Sequence, residues 1–332
     1  MAESGMHTAT SPEPVEESSG VREWTTSTPH PWRGVLRRIP PMLVLALALL
    51  AAYGLITSPT MHWDVVGQYF TSRLVLEGLV RTIYLTAAAM GMGIVLGVIL
   101  ALMRMSGSVT LTVFASSFIW LFRGTPLLVQ IIFWYNLASF IPRLTLGVPF
   151  GGPELASWDV NSIITPLFAA LLALGLNEGA YMSEIVRAGI ASVEGGQMEA
   201  ALVLGMRKGQ AMRRIILPQA VRIIIPPTGN QAIGMLKGTS LVSVISTPEL
   251  LYSVQQIYSQ NYLPIPLLVV ASIWYLILTT ILSINQYYLE RHYAKGSLRA
   301  LPPTPYQRCK AWYARFRSGG LLTTATKGSS SQ

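Results

Sequence analysis

The stretch from Gly78 to Met103, GLVRTIYLTAAAMGMGIVLGVILALM, carries one charge, on Arg81, in 26 residues. As a helix it would run about 39 Å, at 1.5 Å per residue, and the hydrocarbon core of a bilayer is about 30 Å thick. Inside hydrocarbon every backbone N–H and C=O needs a partner within the protein, so a run like this has little choice but to be helical. Similar runs lie at Pro41–Ile56, Thr125–Ile141, Ile163–Val186, Ile223–Ser246 and Pro266–Tyr288. A further helix, Leu111–Phe122, is expected to enter the third span and to be bent by RGTP at Arg123 to Pro126. The predicted fold class is therefore all-α, a polytopic helical membrane protein. A charged fraction of 12% beside 51% hydrophobic residues agrees, since soluble chains carry about twice that charge.

Six spans alternate sides, which makes charge a test of orientation. With both termini in the cytoplasm, 19 of the 24 Lys and Arg residues fall in cytoplasmic tails and loops. Only Arg73 and Arg143 then lie in outer loops, and Arg81, Arg123 and Lys237 lie in or beside spans. The opposite orientation inverts this ratio, so the positive-inside rule selects the first. The same rule explains the net charge of +9 without nucleic acid, for which no basic stripe with interleaved aromatics is present. Residues 1–32, rich in Ser, Thr, Pro and Glu, read as a disordered cytoplasmic tail. Residues 33–73 read as an added first span with its outer loop, and 291–332 as a basic cytoplasmic tail. Cys309 is the sole cysteine and the four histidines are scattered, so no disulfide or metal-ligand cluster is expected. No GxxxxGK[ST] stretch occurs, and the chain does not cradle ATP phosphates by itself.

Charges within spans are costly, about 2.5 kcal/mol or more at the bilayer centre, and each needs a reason. Arg123 beside the RGTP bend either holds the bend or contacts a transported solute; the alternative is an interfacial residue on lipid phosphate. Asn177, Tyr181 and Glu184 are spaced four and three apart, which puts them on one helical face that suits a translocation path. For Glu184 the alternative is a structural pair with Arg187 one turn on. Glu178 lies deeper and is the stronger solute candidate. The fifth span, IIIPPTGNQAIGMLKGTSLVSVIS, contains Pro226, Pro227, Asn230, Gln231 and Lys237. It is expected to be broken, with Asn230 and Lys237 offered to a solute or buried between subunits. Gly93 and Gly97 form GxxxG, which fits packing within one subunit as well as dimerisation.

The cytoplasmic segment EAALVLGMRKGQAMRRIILPQA, Glu199 to Ala220, is different in kind. Glu199–Leu204 reads as a short helix ended by Gly205, and Met206–Ile216 as a second helix stopped by Pro218. Small Ala200 and Ala201 leave room for another protein's groove; the alternative is a basic amphipathic hairpin on the lipid surface. The order Glu199-Ala200-Ala201, three residues, Gly205, nine residues, Ile215, one residue, Leu217-Pro218 is similar to the EAA loop of ABC importer permeases. EGLVRTIYLTAAAMGMGIVLGVILAL, FRGTPLLVQIIFWY, NEGAYMSEIVRAGI, LPQAVRIIIPPTGNQ and KGTSLVSVISTPELL resemble the polar amino-acid subfamily of those permeases, over roughly Leu74 to Glu290.

The resemblance implies a five-span importer core over 74–290, with its coupling loop at 195–220 and the Pro41–Ile56 helix as an addition. It implies a bacterial inner-membrane location, docking on two ATPase subunits that bind the ATP, and pairing with a second permease copy, identical or merely similar. An extracytoplasmic solute-binding protein would deliver the polar amino acid. The chain itself would then hold no cofactor and catalyse no reaction. Two rivals from other classes stay open at this stage. An ion-coupled secondary transporter should show two similar halves with paired broken helices, which are not evident. A membrane scaffold would use the basic hairpin for lipid alone.

Overall fold

The computed structural model describes residues 41–147, 154–193, 195–293 and 310–311. The tail expected at 1–32, residues 33–40 of the added first segment and nearly all of the tail expected at 291–332 lie outside the described residues. Residues up to Ser58 and those from Pro59 onward form two separate compact units. The first contains α1, Pro41–Ile56, whose 16 residues span about 24 Å. Its described leucines are all exposed, as hydrocarbon-facing side chains are. Thr57 closes it, its backbone N–H and Oγ1 both donating to the Tyr53 carbonyl.

The second unit begins with a 3₁₀ turn at Pro59–Met61 and a short helix, α2, Trp63–Phe70. It then runs into α3, Arg73–Met105, and α4, Val109–Gly124. Helix α5, Leu127–Tyr135, follows a 103° bend, and the single turn α6, Leu137–Phe140, comes next. An antiparallel hairpin pairs β1, Arg143–Gly147, with β2, Glu154–Asp159, placing Thr145 opposite Ser157. After the turn α7, Val160–Ile163, come α8, Pro166–Ala191, and α9, Gly195–Val203. Next are α10, Lys208–Ala211, a π-helical turn at Met212–Ile216, and α11, Leu217–Gly238. A 3₁₀ segment, Thr239–Ile245, leads to α12, Leu250–Asn261, and α13, Pro264–Tyr293. Helices α3 and α13 are each long and apolar enough to cross a membrane, and the bent pair α4–α5 passes the same test jointly.

The centre of the unit is the contact of α3 with α8, and glycine sets how close they come. A Cβ on Gly97 would stand 2.9 Å from the Ser183 backbone nitrogen, and one on Gly93 3.3 Å from the Glu178 carbonyl carbon. Helix α8 answers with its own four-residue spacing. A Cβ on Gly175 would meet Met92 Sδ at 2.6 Å, and one on Gly179 would meet Leu96 Cδ2 at 2.7 Å. The GxxxG of α3 thus packs against a second GxxxG of the same chain, which settles its role as intrachain. Lipid supplies no hydrophobic driving force between helices, so close backbone approach and dense van der Waals contact hold such a pair. Around it, Leu85, Ala89, Ile131, Ala170, Leu174 and Val242 form one core.

Two expectations about backbone continuity are corrected. The third span is not one helix from Thr125 to Ile141. Helix α5 has nine residues, about 13 Å, and ends at Asn136, whose side chain donates to the Ile132 carbonyl. The fifth span is not broken at its prolines, because α11 runs through Pro226 and Pro227 and changes to 3₁₀ only at Thr239. Gln286 of α13 takes part there: its Nε2 donates to the Pro226 carbonyl at 2.7 Å, and Gly229 offers no side chain to obstruct it.

Candidate functional site

Pro126 has no N–H, so the last full turn of α4 leaves the Phe122 carbonyl without its helical donor. Two side chains replace it. Gln130 Nε2 donates to Phe122 O at 2.9 Å and to Thr125 Oγ1 at 2.8 Å, and Asn177 Nδ2 donates to Phe122 O at 2.9 Å. Asn177 also donates to Gln130 Oε1 at 3.3 Å. The bend that proline makes is therefore held from α8, and Asn177 is committed to holding it. Tyr181, one turn on, lies under the Arg123 guanidinium, 5.3 Å from ring centroid to carbon.

Glu184 is the next residue on that face. Its carboxylate is paired with Arg104 at the end of α3, with Arg187 Nη2 at 2.9 Å, and lies 3.9 Å from Arg123 Nη1. The structural pairing of Glu184 with Arg187 is realised, and Arg104 and Arg123 extend it across three helices. The face of α8 defined by Asn177, Tyr181 and Glu184 meets the α4–α5 bend. Glu178 is enclosed, at 4% exposure, over Gly93 and within 3.4 Å of Gln231 Nε2 of α11.

Helix α11 is different. Ile223, Pro227, Asn230, Gly234 and Lys237 follow at steps of four, three, four and three, and all five are exposed. That spacing is a single stripe down the helix, and it brings Asn230 and Lys237 to one unpartnered face.

At the C-terminal end of α8 sits the hairpin Gly195–Ile216. Helix α9 closes in a Schellman motif: Met206 N–H donates to Ala201 O at 3.0 Å and Gly205 N–H to Leu202 O at 2.9 Å. The motif requires a left-handed residue after the helix, and Gly205 has φ +80°. Gln210 then accepts the Arg207 N–H at 3.2 Å and starts α10. Pro218 does not stop the second helix. It falls in the first turn of α11, and the preceding turn is widened to π-helix over Met212–Ile216. Ile216 and Ala220 are buried on Val186 and Ile190 of α8, with Met198, Met212 and Ile215 packed beside them. The hairpin is thereby seated on α8, the helix that packs against α3.

Ala201 is buried, so its small size serves the hairpin's own packing; Glu199, Ala200, Leu217 and Pro218 are exposed. The sequence reading passed over the tip. Val203 and Leu204 are 88% and 82% exposed, an apolar point on a basic hairpin. Two apolar residues immediately before a helix-ending glycine were the available signal. It also passed over Arg104, which only folding brings to Glu184, and the Gly175–Gly179 spacing, which was visible.

The family model described as "Binding-protein-dependent transport system inner membrane component" matches residues 93–295. The chain is 45% identical over 275 residues to the arginine transport system permease protein ArgU of Corynebacterium glutamicum, covering 82% of this chain and 83% of that one. It is 37% identical to the probable amino-acid permease protein YxeN of Bacillus subtilis, over 71% of this chain and 97% of that one. A crystal structure of an amino acid ABC transporter with histidines superposes with a TM-score of 0.57 at 36% identity, over 66% of this chain and 94% of that one. The family model covers well over half of the sequence, including α8, the hairpin and α11, and the chain belongs to the binding-protein-dependent transport system inner membrane components.

Proposed function

We propose that the chain is the permease subunit of an ATP-driven importer of polar amino acids, with the Glu199–Pro218 hairpin as the element that ATPase subunits move. The observation that carries this is the hairpin itself: an exposed apolar tip, Val203 and Leu204, on a Schellman-closed helix anchored to α8. A solvent-exposed apolar tip marks a contact surface, and a cleft on a soluble subunit would cover it. Because Ile216 and Ala220 seat the hairpin on α8, a pull on the tip acts on the helix that packs against α3. The names of the similar proteins support an amino acid as the solute.

Alternating access needs a second permease copy facing this one. The α11 stripe of Pro227, Asn230, Gly234 and Lys237 is the face we assign to that path. Glu178 gives the path its shape from behind, through Gln231. An extracytoplasmic solute-binding protein delivers substrate, both termini are cytoplasmic, and α1 is an addition to a five-span core. Spans in this reading are α1, α3, α4–α5, α8, α11 and α13.

The test is uptake by proteoliposomes containing the permease, its ATPase and the binding protein. Accumulation of labelled amino acid should require ATP inside and binding protein outside. Uptake driven by a proton or sodium gradient without ATP would overturn the assignment.

A further inference from the structure

The inside of the α4–α5 bend is a cavity of about 550 Å³ bordered by Phe118, Leu121, Val129, Phe133, Trp134 and Leu176. It is open on one side and its lining is hydrocarbon. Thr125 and Gln130 also border it, but their polar atoms are turned to the Phe122 carbonyl and to each other. A concave apolar surface beside a bilayer fills with hydrocarbon.

Next to the cavity lies an excess of positive charge. Arg123 directly follows two cavity residues, Leu121 and Phe122, in sequence. It stacks on Tyr181, makes no hydrogen bond among the described residues, and its side chain is 44% exposed. Arg104, Arg123 and Arg187 share one carboxylate, that of Glu184, which leaves the cluster two charges positive. Arg187 is 39% exposed even while paired. Along α8, Tyr181 and Arg187 lie about 7 and 16 Å beyond Leu176, at 1.5 Å per residue. That offset matches the distance from an acyl chain to its own phosphate.

We infer that the bend holds one anionic phospholipid, with an acyl chain in the Phe118–Phe133 cavity and its phosphate on Arg123 and Arg187. Guanidinium groups suit a phosphate because their planar forks donate in pairs. The lipid completes the bend on the side that Asn177 and Gln130 do not reach, and its negative charge offsets one of the cluster's two excess positive charges. That it belongs to the inner leaflet rests on the orientation proposed above; the site itself does not.

Native mass spectrometry of the full-length permease, purified with its accompanying subunits and exchanged into equal phosphatidylglycerol and phosphatidylcholine, tests the site. The wild type should retain phosphatidylglycerol preferentially. Arg123→Gln with Arg187→Gln should reduce that preference about tenfold or more, since each basic residue at a membrane surface contributes on the order of 1 kcal/mol. Val129→Trp, which fills the cavity, should lower retention of both lipids. A wild type with no preference would overturn the proposal without any variant. So would a Val129→Trp protein that loses its second copy while lipid retention stays the same, because the cavity would then be a subunit interface. ATP-driven uptake is scored separately, and its failure in the wild type would refute the functional reading while leaving lipid retention as it stands.

Discussion

Asn177 donates a hydrogen bond to the Phe122 carbonyl across 55 residues of chain, at 2.9 Å. Phe122 needs it because Pro126, four residues on, cannot donate. Replacing Asn177 with Leu keeps the volume and removes one of that carbonyl's two side-chain donors, leaving Gln130 as the other, which costs on the order of 1 kcal/mol. The expected outcome is a lower melting temperature in detergent and reduced uptake. Gln130→Leu should do the same, and the double variant should cost more than the sum, since only the loss of both donors leaves the buried acceptor unpaired. Strict additivity would show that the two side chains do not share the Phe122 carbonyl.

The glycines of α3 give an internal contrast. Gly91 has open space where a side chain would go, whereas Gly93 and Gly97 meet α8. Gly91→Ala should leave permease abundance unchanged. Gly97→Leu should prevent α3 and α8 from closing, and membrane abundance should fall severely, as overpacking of a rigid contact predicts. Equal abundance of the two variants in quantitative membrane blots would remove the glycine contact from the account of the fold.

What the sequence showed and what it hid divide along physical lines. Span-length apolar runs are legible because solvent forces them, so α3, α8 and α13 were expected close to where they lie. The Glu199–Pro218 spacing and the stop at Gly205 were legible because a left-handed turn demands glycine. The continuity of α11 through Pro226 and Pro227 was not legible, since consecutive prolines ordinarily end or kink a helix. Nor were the surroundings of Glu178: its spacing says only which face of a helix it occupies, and folding brings Gly93 and Gln231 to it. The short hairpin of β1 and β2 was missed because its residues, RLTLG and ELASWD, alternate too briefly to stand out.

Orientation is open to direct labelling. Ser157 is exposed on the hairpin of β1 and β2, which the charge asymmetry predicts to lie outside. In a Cys309→Ser background, Ser157→Cys should react in intact cells with a membrane-impermeant maleimide, and a tag fused after Gln332 should not be accessible. Protection of Cys at position 157 until the cells are lysed would reverse the topology.

Lys237 and Asn230 sit on the exposed stripe of α11, so solute contact predicts kinetic effects there without loss of fold. Lys237→Met removes the charge and keeps the length. It should raise the half-saturating solute concentration or lower the maximal rate by severalfold, with abundance and thermal stability unchanged. Wild-type kinetics in this variant would remove Lys237 from the path and leave the stripe as a helix-packing face.

Gly205 is where turn chemistry and coupling can be separated. Its φ is +80° and nothing lies within 4 Å of the place a Cβ would occupy. Substitution there is therefore strained by conformation alone, about 1–2 kcal/mol for an ordinary residue and least for Asn, which tolerates the left-handed region best. Gly205→Asn should keep the Schellman closure, with ATPase co-purification and uptake near wild type. Gly205→Val should break the bonds from Met206 and Gly205 to the α9 carbonyls and displace Val203 and Leu204, while every membrane helix still inserts. Permease abundance should stay normal, co-purified ATPase should fall, and ATP-driven uptake should be lost. A hairpin that served only to lie on lipid would bind ATPase equally in both variants. Full uptake and unchanged co-purification in Gly205→Val would end the coupling assignment, whatever the membrane helices do.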